Sequence, residues 1–462
     1  MPFEKNIKAM QQQNLKYVYA CTIIAAVGGL LFGYDTAVVA GAIGFIQQKY
    51  HLSAAMTGWA ASCAIIGCMA GAMVAGMLSD QLGRKKVLLL AAVAFALSSA
   101  GIMLPSGIGV FILFRFIGGM GIGLASILAP MYISEIAPPG IRGKLITVYQ
   151  LGIVIGILLI YFVNAAIAGL YNETWNIDQG WRWMFGSGLI PSVVFFILLI
   201  KTPESPRWLA AQGRWNDAGD ILIKMNGPEN AEKEMKEIAS SLKEVKGRFS
   251  DLFNPALKIP LVIGILLSVF SQVTGINAIM YYAPEIFKAS GSGASSALLQ
   301  TVCIGSVNFL MTLVAIRYVD KLGRKKLLLI GSAGMCICLA LIGYAFYARL
   351  TGGYWILAGI LAYISFFAIS LGPLTFVVVS EIFPNHIRGR AMSIAIFFLW
   401  LSVYIVSQTF PMMLEAPGIG AAKTFWIFML LSAAAFIFIW QMVPETKGKT
   451  LEEIQALWKK MP

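Results

Sequence analysis

Long apolar runs separated by short polar joints fill the chain from end to end. A run of about 20 residues with few charges is long enough, at about 1.5 Å per helical residue, to cross the hydrocarbon of a bilayer. Twelve such runs stand out, near residues 17–43, 56–78, 87–104, 109–133, 145–169, 183–201, 258–283, 296–318, 327–348, 354–379, 391–413 and 423–443. The pattern predicts an all-α membrane protein of twelve transmembrane helices.

The polar joints carry a second pattern. "GMLSDQLGRKK" (Gly76–Lys86), after the second run, returns as "VDKLGRKK" (Val319–Lys326) after the eighth. "SEIAPPGIRGK" (Ser134–Lys144) returns as "SEIFPNHIRGR" (Ser380–Arg390), and "PESPR" (Pro203–Arg207) as "PETKGK" (Pro444–Lys449). The order is the same in both halves, and the pairs Arg84/Arg324, Glu135/Glu381 and Glu204/Glu445 are 240, 246 and 241 residues apart. Two six-helix bundles in parallel orientation, related by an axis along the membrane normal, account for this repeat. The expected organisation is an N-terminal bundle over 1–201, a cytoplasmic helical linker over 202–256, a C-terminal bundle over 257–445 and a tail over 446–462. In the linker, "NAEKEMKEIASSLKEVKG" has apolar residues at helical spacing among Glu and Lys, so it reads as short surface helices. A solvated cover is its plain role, and a latch between the bundles the sharper one.

Composition agrees and sets the orientation. Hydrophobic residues make up 58% and charged residues 12%, with a mean hydropathy of +0.77, against about a quarter charged in soluble domains. The net charge of +13 suggests nucleic acid only until it is located. With a cytoplasmic N-terminus, Lys49, Arg182, Lys288, Arg349 and Lys423 alone face outward, Arg115 lies within a run, and 29 of 35 Lys and Arg fall inside. That bias is the positive-inside rule, so both termini are placed in the cytoplasm and no nucleic-acid partner is expected. All six cysteines lie in apolar runs and read as buried free thiols. Cys336 and Cys338 have no His or second pair beside them, so no metal is expected. The first 16 residues are polar and the first apolar run is too long for a signal-peptide core, so no cleavable leader is expected.

Within the runs, Asp35 in "GGLLFGYDTAVVAGA" is the only acid set deep, and Arg115 in "FILFRFIGG" the only base. The first run climbs outward and the fourth descends, which sets Asp35 roughly 12 Å and Arg115 roughly 9 Å below the outer helix ends. The depths allow the two to meet. An isolated charge near the membrane centre costs at least about 2.5–3.5 kcal/mol, so both should face the bundle interior. One reading is a permanent salt bridge fixing the first helix to the fourth. The other, preferred because intramembrane acids are functional by default, is a proton site. Burial disfavours an ionised carboxyl and a nearby Arg favours it, so a change in their separation moves a proton on or off.

The repeated joints mix acids with bases. One charged loop is a topology determinant; six copies in pseudo-symmetric places favour inter-helix ion pairs that close the cytoplasmic side in one state. The candidates are Asp80, Arg84, Glu135, Arg142, Glu204 and Arg207, with Asp320, Arg324, Glu381 and Arg388 in the second half. Single surface pairs are worth only about 0–1 kcal/mol, so a network is required.

"GGLLFGYDTAVVAGA", "RFIGGMGIGLAS", "PMYISEIAPPGIRGK", "PESPRWL", "TGINAIMYYAPEIF", "VDKLGRKK", "SEIFPNHIRGRAMSIA" and "PETKGKTLEE" together resemble the sugar porter family of the major facilitator superfamily, over essentially the whole chain. The resemblance implies the major facilitator fold and alternating access by two rocking bundles around one site near the midplane. It implies import of a monosaccharide or related polyol with H+, in the lipid bilayer of a bacterial inner membrane, by a monomer without cofactor. Its proton-coupled members are similar to this chain at Asp35 and Arg115, whereas facilitators tend to lack the acid. A facilitative uniporter is the alternative, and a transporter-like sugar sensor a more distant one. An intramembrane enzyme is not expected, because His51 and His386 lie in loops away from any nucleophile.

A sugar site needs neutral amides and an apolar ring face. Gln150, Gln272 and Asn277 are the amides that the resemblance also places there. Gln272 and Asn277 are five residues apart, about 140° around a regular helix, and converge only if the helix breaks near Gly275. The resemblance adds Phe32, Gly372 and Trp400 to the cavity wall, and Tyr281 and Tyr282 to an outer gate. The chain also departs from the family pattern. Ser271 replaces the first of two Gln, Phe376 replaces a stacking Trp, and Leu399 and Val403 stand where some members have Gln and Asn. The sugar itself, whether pentose, hexose or inositol-like, is left open.

Overall fold

The computed structural model describes residues 2–104, 107–138, 140–243, 255–350, 354–383 and 387–447, without the side chains of 2–14, 229, 241, 243, 255–256 and 320. Among the described residues, twelve helices are long and apolar enough to cross a membrane. Spans 1 to 6 are Leu15–Tyr50, Ala54–Leu82, Arg84–Met103, Ile108–Ile136, Arg142–Ala168 and Glu173–Ile200. Spans 7 to 12 are Leu257–Ala289, Ala294–Val319, Arg324–Tyr347, Trp355–Ile382, Arg388–Glu415 and Gly420–Met442. Short helices Pro206–Ala211, Trp215–Asn226 and Pro228–Lys243 follow span 6. Their buried Leu209, Ala210 and Ala218 pack with Trp208, Ile221, Met235 and Ile238 into a small core of their own. His386 and the tail from residue 448 lie outside the described residues.

Contacts divide the chain into two compact units. One comprises Met1–Thr36, Ile66–Ile160 and Arg182–Glu244; the other comprises Ala37–Ile65, Tyr161–Trp181 and Val245–Pro462. The outer ends of spans 1, 2 and 5 therefore pack as part of the second unit.

Small residues set the helix spacing in the first unit. A Cβ on Gly33 would stand 1.9 Å from the Ile153 carbonyl oxygen, and one on Gly156 2.0 Å from that of Leu30, so spans 1 and 5 touch backbone to backbone. Gly67, Gly71 and Gly123 do the same between spans 2 and 4. In lipid no hydrophobic force drives helices together, and this close van der Waals approach takes its place.

Prolines set the breaks. Pro191 would clash with the carbonyl of Ser187, and span 6 is interrupted at Ser187–Gly188. Pro373 stands in the same relation to Ile369, and span 10 is interrupted at Ile369–Ser370. Span 7 breaks at Gly275, whose φ of 96° is left-handed, and kinks again at Tyr282 ahead of Pro284. At three places in the second unit a tyrosine donates to a carbonyl that lacks its helical donor. Tyr161 donates to the Met280 carbonyl (2.8 Å), Tyr282 to that of Ser407 (2.9 Å), four residues before Pro411, and Tyr363 to that of Thr274 (2.9 Å). Orphaned carbonyls are costly in hydrocarbon, so these phenols are fold-bearing groups.

Candidate functional site

Asp35 and Arg115 meet. Arg115 Nη1 donates to Asp35 Oδ2 at 2.8 Å, with Arg115 1% and Asp35 8% exposed. The glycine-lined seams bring span 1 against span 5 and span 4 against span 2, which turns both side chains inward. Phe185 of span 6 lies under the guanidinium, 5.1 Å from its ring centre, a placement that favours the cation where water is excluded. Next to Asp35, the Tyr34 hydroxyl is 2.7 Å from Ser187 Oγ, at the break that Pro191 makes. The arrangement pairs a buried carboxylate with a buried guanidinium, so each charge has its partner away from water.

In the first unit, Gln150 is half-buried and its amide makes no hydrogen bond among the described residues, while Phe32 is half-buried on span 1. In the second unit the break at Gly275 turns Asn277 back onto Gln272. Asn277 Nδ2 donates to Gln272 Oε1 at 2.6 Å, Gln272 Nε2 to Ser271 Oγ at 3.0 Å, and Ser271 Oγ to the Ser268 carbonyl at 2.7 Å. This chain leaves Asn277 Oδ1 and one N–H on each amide for a further partner. Phe376 is 44% exposed on span 10, beyond the break that Pro373 makes beside Gly372. Trp400, Leu399 and Val403 are buried on span 11. Tyr281 and Tyr282 are buried, and Tyr282 packs on Phe410 with ring centres 5.3 Å apart.

The sequence reading missed a polar set at the outer ends of these helices, inside the second unit. Gln408 Nε2 donates to the Ala55 carbonyl (2.9 Å), and its Oε1 accepts from Ser62 Oγ (3.0 Å). Asn164 Nδ2 donates to the Val38 carbonyl at 3.2 Å. The signal was present: Gln408 in "VYIVSQTF" is a neutral amide in an apolar run, as Gln150 is.

The cytoplasmic motifs form two matching networks, each within its own unit. Arg84 grips Glu135 with two hydrogen bonds of 2.9 and 3.0 Å, and Ser205 donates to the same carboxylate. Glu204 accepts from the backbone amides of Arg84 and Lys85, capping the N-terminus of span 3. In the second unit Arg324 donates to Glu381 at 3.1 Å, Thr446 to Glu381 at 2.5 Å, and Glu445 caps Arg324 and Lys325. Both caps need a glycine before them: Gly83 and Gly323 have φ of 94° and 87°, and a Cβ would strike the capping carboxylate. Three expected members do not join. Arg142 and Arg388 donate to the carbonyls of Ala137 and Phe383, each five residues back in the chain, at 3.4 Å rather than to a carboxylate, because a carbonyl that near in sequence takes up the guanidinium. Arg207 is exposed and makes no ion pair among the described residues, since the helix beginning at Pro206 turns it to solvent. Asp80 stands 3.6 Å from Arg84 and is mostly exposed, and the Asp320 side chain lies outside the described residues.

Residues 21–458 match the model of the Sugar (and other) transporter family. The chain belongs to this sugar porter family. Among its relatives is an arabinose-proton symporter of Bacillus subtilis, 46% identical over 99% of this chain and 98% of the relative. A D-xylose-proton symporter of Escherichia coli is 42% identical over 97% of each. An inward-open structure of the E. coli xylose transporter XylE superposes with a TM-score of 0.85 at 40% identity, covering 96% of this chain and all of that one. The fold is that of the major facilitator superfamily, and the sugar porter is a multi-pass membrane transporter, not an enzyme. This porter carries a serine–amide–amide chain in span 7 and apolar Leu399 and Val403 in span 11.

Proposed function

We propose that this porter imports a monosaccharide together with H+ across a bacterial inner membrane, by alternating access, with a pentose as the first substrate class to test. The buried Asp35–Arg115 pair carries the proposal, because a carboxylate in hydrocarbon is retained at a cost that a facilitator has no reason to bear. Two relatives whose names join a pentose to a proton support the choice of substrate class. Gln150, Gln272 and Asn277 are assigned to sugar hydroxyls, with Phe32, Phe376 and Trp400 as apolar walls and Tyr281 and Tyr282 as the outer gate. Paired donors and acceptors on neutral amides match a polyol, each of whose hydroxyls both gives and takes a hydrogen bond.

The deciding experiment presents labelled arabinose, xylose, glucose or inositol outside proteoliposomes, with and without an inward proton gradient. Uphill accumulation of one pentose, abolished by a protonophore, is expected. Equilibration without accumulation in every case would make the protein a uniporter.

A further inference from the structure

At the outer side of the second unit, the ends of spans 1, 5, 6 and 8 surround a cavity of about 250 Å³. Phe45 of span 1, Tyr171 between spans 5 and 6, Glu173 and Asn176 of span 6, and Ser295 and Ser296 of span 8 line it. Its volume is near the lower end of small-molecule sites, about 300 Å³, which suits a ligand of one ring. The amides of span 7 lie deeper: Asn277 is up to roughly 18 Å of helix from the outer end of that span at Ala289. The cavity is therefore not the place where Gln272 and Asn277 meet.

Its lining identifies the ligand class. Span 8 starts behind Gly293 with no side chain capping it, so its first amides can donate, with the positive end of the helix dipole behind them. Ser295 and Ser296 add hydroxyls. Span 6 brings acceptors. Glu173 is exposed and makes no ion pair among the described residues. Asn176 is 5% exposed; its Nδ2 donates to the Ala168 carbonyl at 2.9 Å, and its Oδ1 has no partner. The charges close by are already matched, Lys288 with Glu285 at 2.8 Å and Lys49 with Asp178. An anion would meet Glu173 and a cation would meet the helix end, so neither sign of charge suits the cavity. A neutral ligand whose hydroxyls both give and take hydrogen bonds suits both. The remaining wall is aromatic. Phe45 is buried, whereas the Tyr171 ring is 66% exposed and tilts over that of Trp175 with centres 4.7 Å apart. Such rings fit the C–H face of a sugar.

We propose that this cavity binds a neutral monosaccharide on the outer face of the porter, as a second site besides the one assigned to Gln272 and Asn277. Tyr171 lies against the sugar ring, Glu173 and Asn176 accept from its hydroxyls, and the start of span 8 donates to them. The choice of a monosaccharide rests on the reading of the protein as a sugar importer. The cavity's own chemistry asks only for a neutral polyol, and the test separates the two.

Ser295 is exposed, so Ser295→Cys puts a reactive thiol on the cavity wall at little structural cost. Its labelling by a membrane-impermeant maleimide is followed in right-side-out vesicles with arabinose, xylose, glucose or inositol outside, and the native chain is the blank for its own cysteines. At least one of the four should slow the labelling. Adding Tyr171→Ala should raise the half-protecting concentration by about three- to tenfold, and adding Glu173→Gln should raise it as well. Adding Asn277→Ala should leave it unchanged. Should Ser295→Cys label too slowly to follow, Ser296→Cys takes its place. Protection that is lost with Asn277→Ala but kept with Tyr171→Ala overturns the second site, because the thiol then reports only on the transport site. Protection indifferent to Tyr171→Ala, or by none of the four, overturns it too, and leaves Tyr171 as an aromatic residue of the membrane interface. Accumulation in proteoliposomes judges the importer reading apart from this. A chain that accumulates no monosaccharide, yet shows Tyr171-dependent protection by inositol, fails that reading and keeps the cavity as a polyol site.

Discussion

At the scale of single residues, the roles proposed for Asp35 in coupling and Asn277 in recognition can be tested apart. Asp35→Asn keeps the size and most hydrogen-bonding capacity of the side chain but cannot cycle a proton. Gradient-driven accumulation should vanish while counterflow of labelled sugar continues; accumulation at the native level would return Asp35 to a purely structural role. At the sugar side, Asn277→Ala removes the donor to Gln272 and the free groups beside it. One lost hydrogen bond of about 0.5–1.5 kcal/mol predicts a rise in half-saturation of up to about tenfold with little change in maximal rate. An unchanged half-saturation in a transport assay would remove Asn277 from the site. Much of this was legible in the sequence, because the reasoning needed only depth and chemistry. Two ionisable residues at matching depth in apolar runs had to meet, and five-residue spacing across a glycine required a break. The unpartnered hydroxyls of Ser79, Ser98 and Ser407 were not legible: a serine in an apolar helix ordinarily bonds to its own backbone, and only coordinates reveal those that do not.

Elements are held by two devices, and the sequence exposed them unequally. Run length and spacing gave all twelve spans, since hydrocarbon thickness fixes helix length. The glycine seams were hidden, because which glycine faces a neighbouring backbone depends on helix rotation that no run of apolar residues encodes. The same holds for the tyrosines that serve the freed carbonyls of Met280, Ser407 and Thr274: each donor lies 89 to 125 residues from its acceptor. Prolines announce an orphaned carbonyl but not what will satisfy it. The seams make a sharp prediction. Gly33→Ala and Gly156→Ala each force a methyl against a backbone carbonyl that cannot step aside, whereas nothing lies within 4 Å of a Cβ on Gly76 in span 2. Thermal unfolding in detergent should show the first two destabilised by about 1–3 kcal/mol and Gly76→Ala unchanged or stabilised by up to about 1 kcal/mol. Equal melting temperatures for all three would show that spans 1 and 5 are not locked by backbone contact.

For the whole molecule, the charged motifs on the cytoplasmic side are two copies of one device, and the Glu445 cap of the second copy responds to pH in a way that sets it apart from Glu234 of the linker. Burial pushes the Glu445 carboxyl up, but the backbone amides of Lys447, Arg324, Lys325 and Thr446 outweigh it and hold the group below its usual 4.5. A carboxyl held low binds fewer protons folded than unfolded, so the stability it contributes is complete above its unfolded value and is lost as pH falls through the folded one. Glu234 in the linker helix Pro228–Lys243 is the reverse case. Burial raises it, with Glu237 adding to the rise, and the Asn226 hydrogen bond and Arg142 offset only part. Its contribution is complete below its unfolded value and is lost as pH rises through the folded one. Glu445→Gln should therefore lower the unfolding temperature at neutral pH, and the gap from the native protein should close as the pH drops below 4.5. Glu234→Gln should do the opposite, gaining on the native protein at neutral pH and losing that gain in acid. The two gaps, followed in detergent from about pH 7 down to about pH 3, must change in opposite senses. Gaps that move together would mean that the carboxylate cap at Arg324 is not what holds span 9 to the end of span 12.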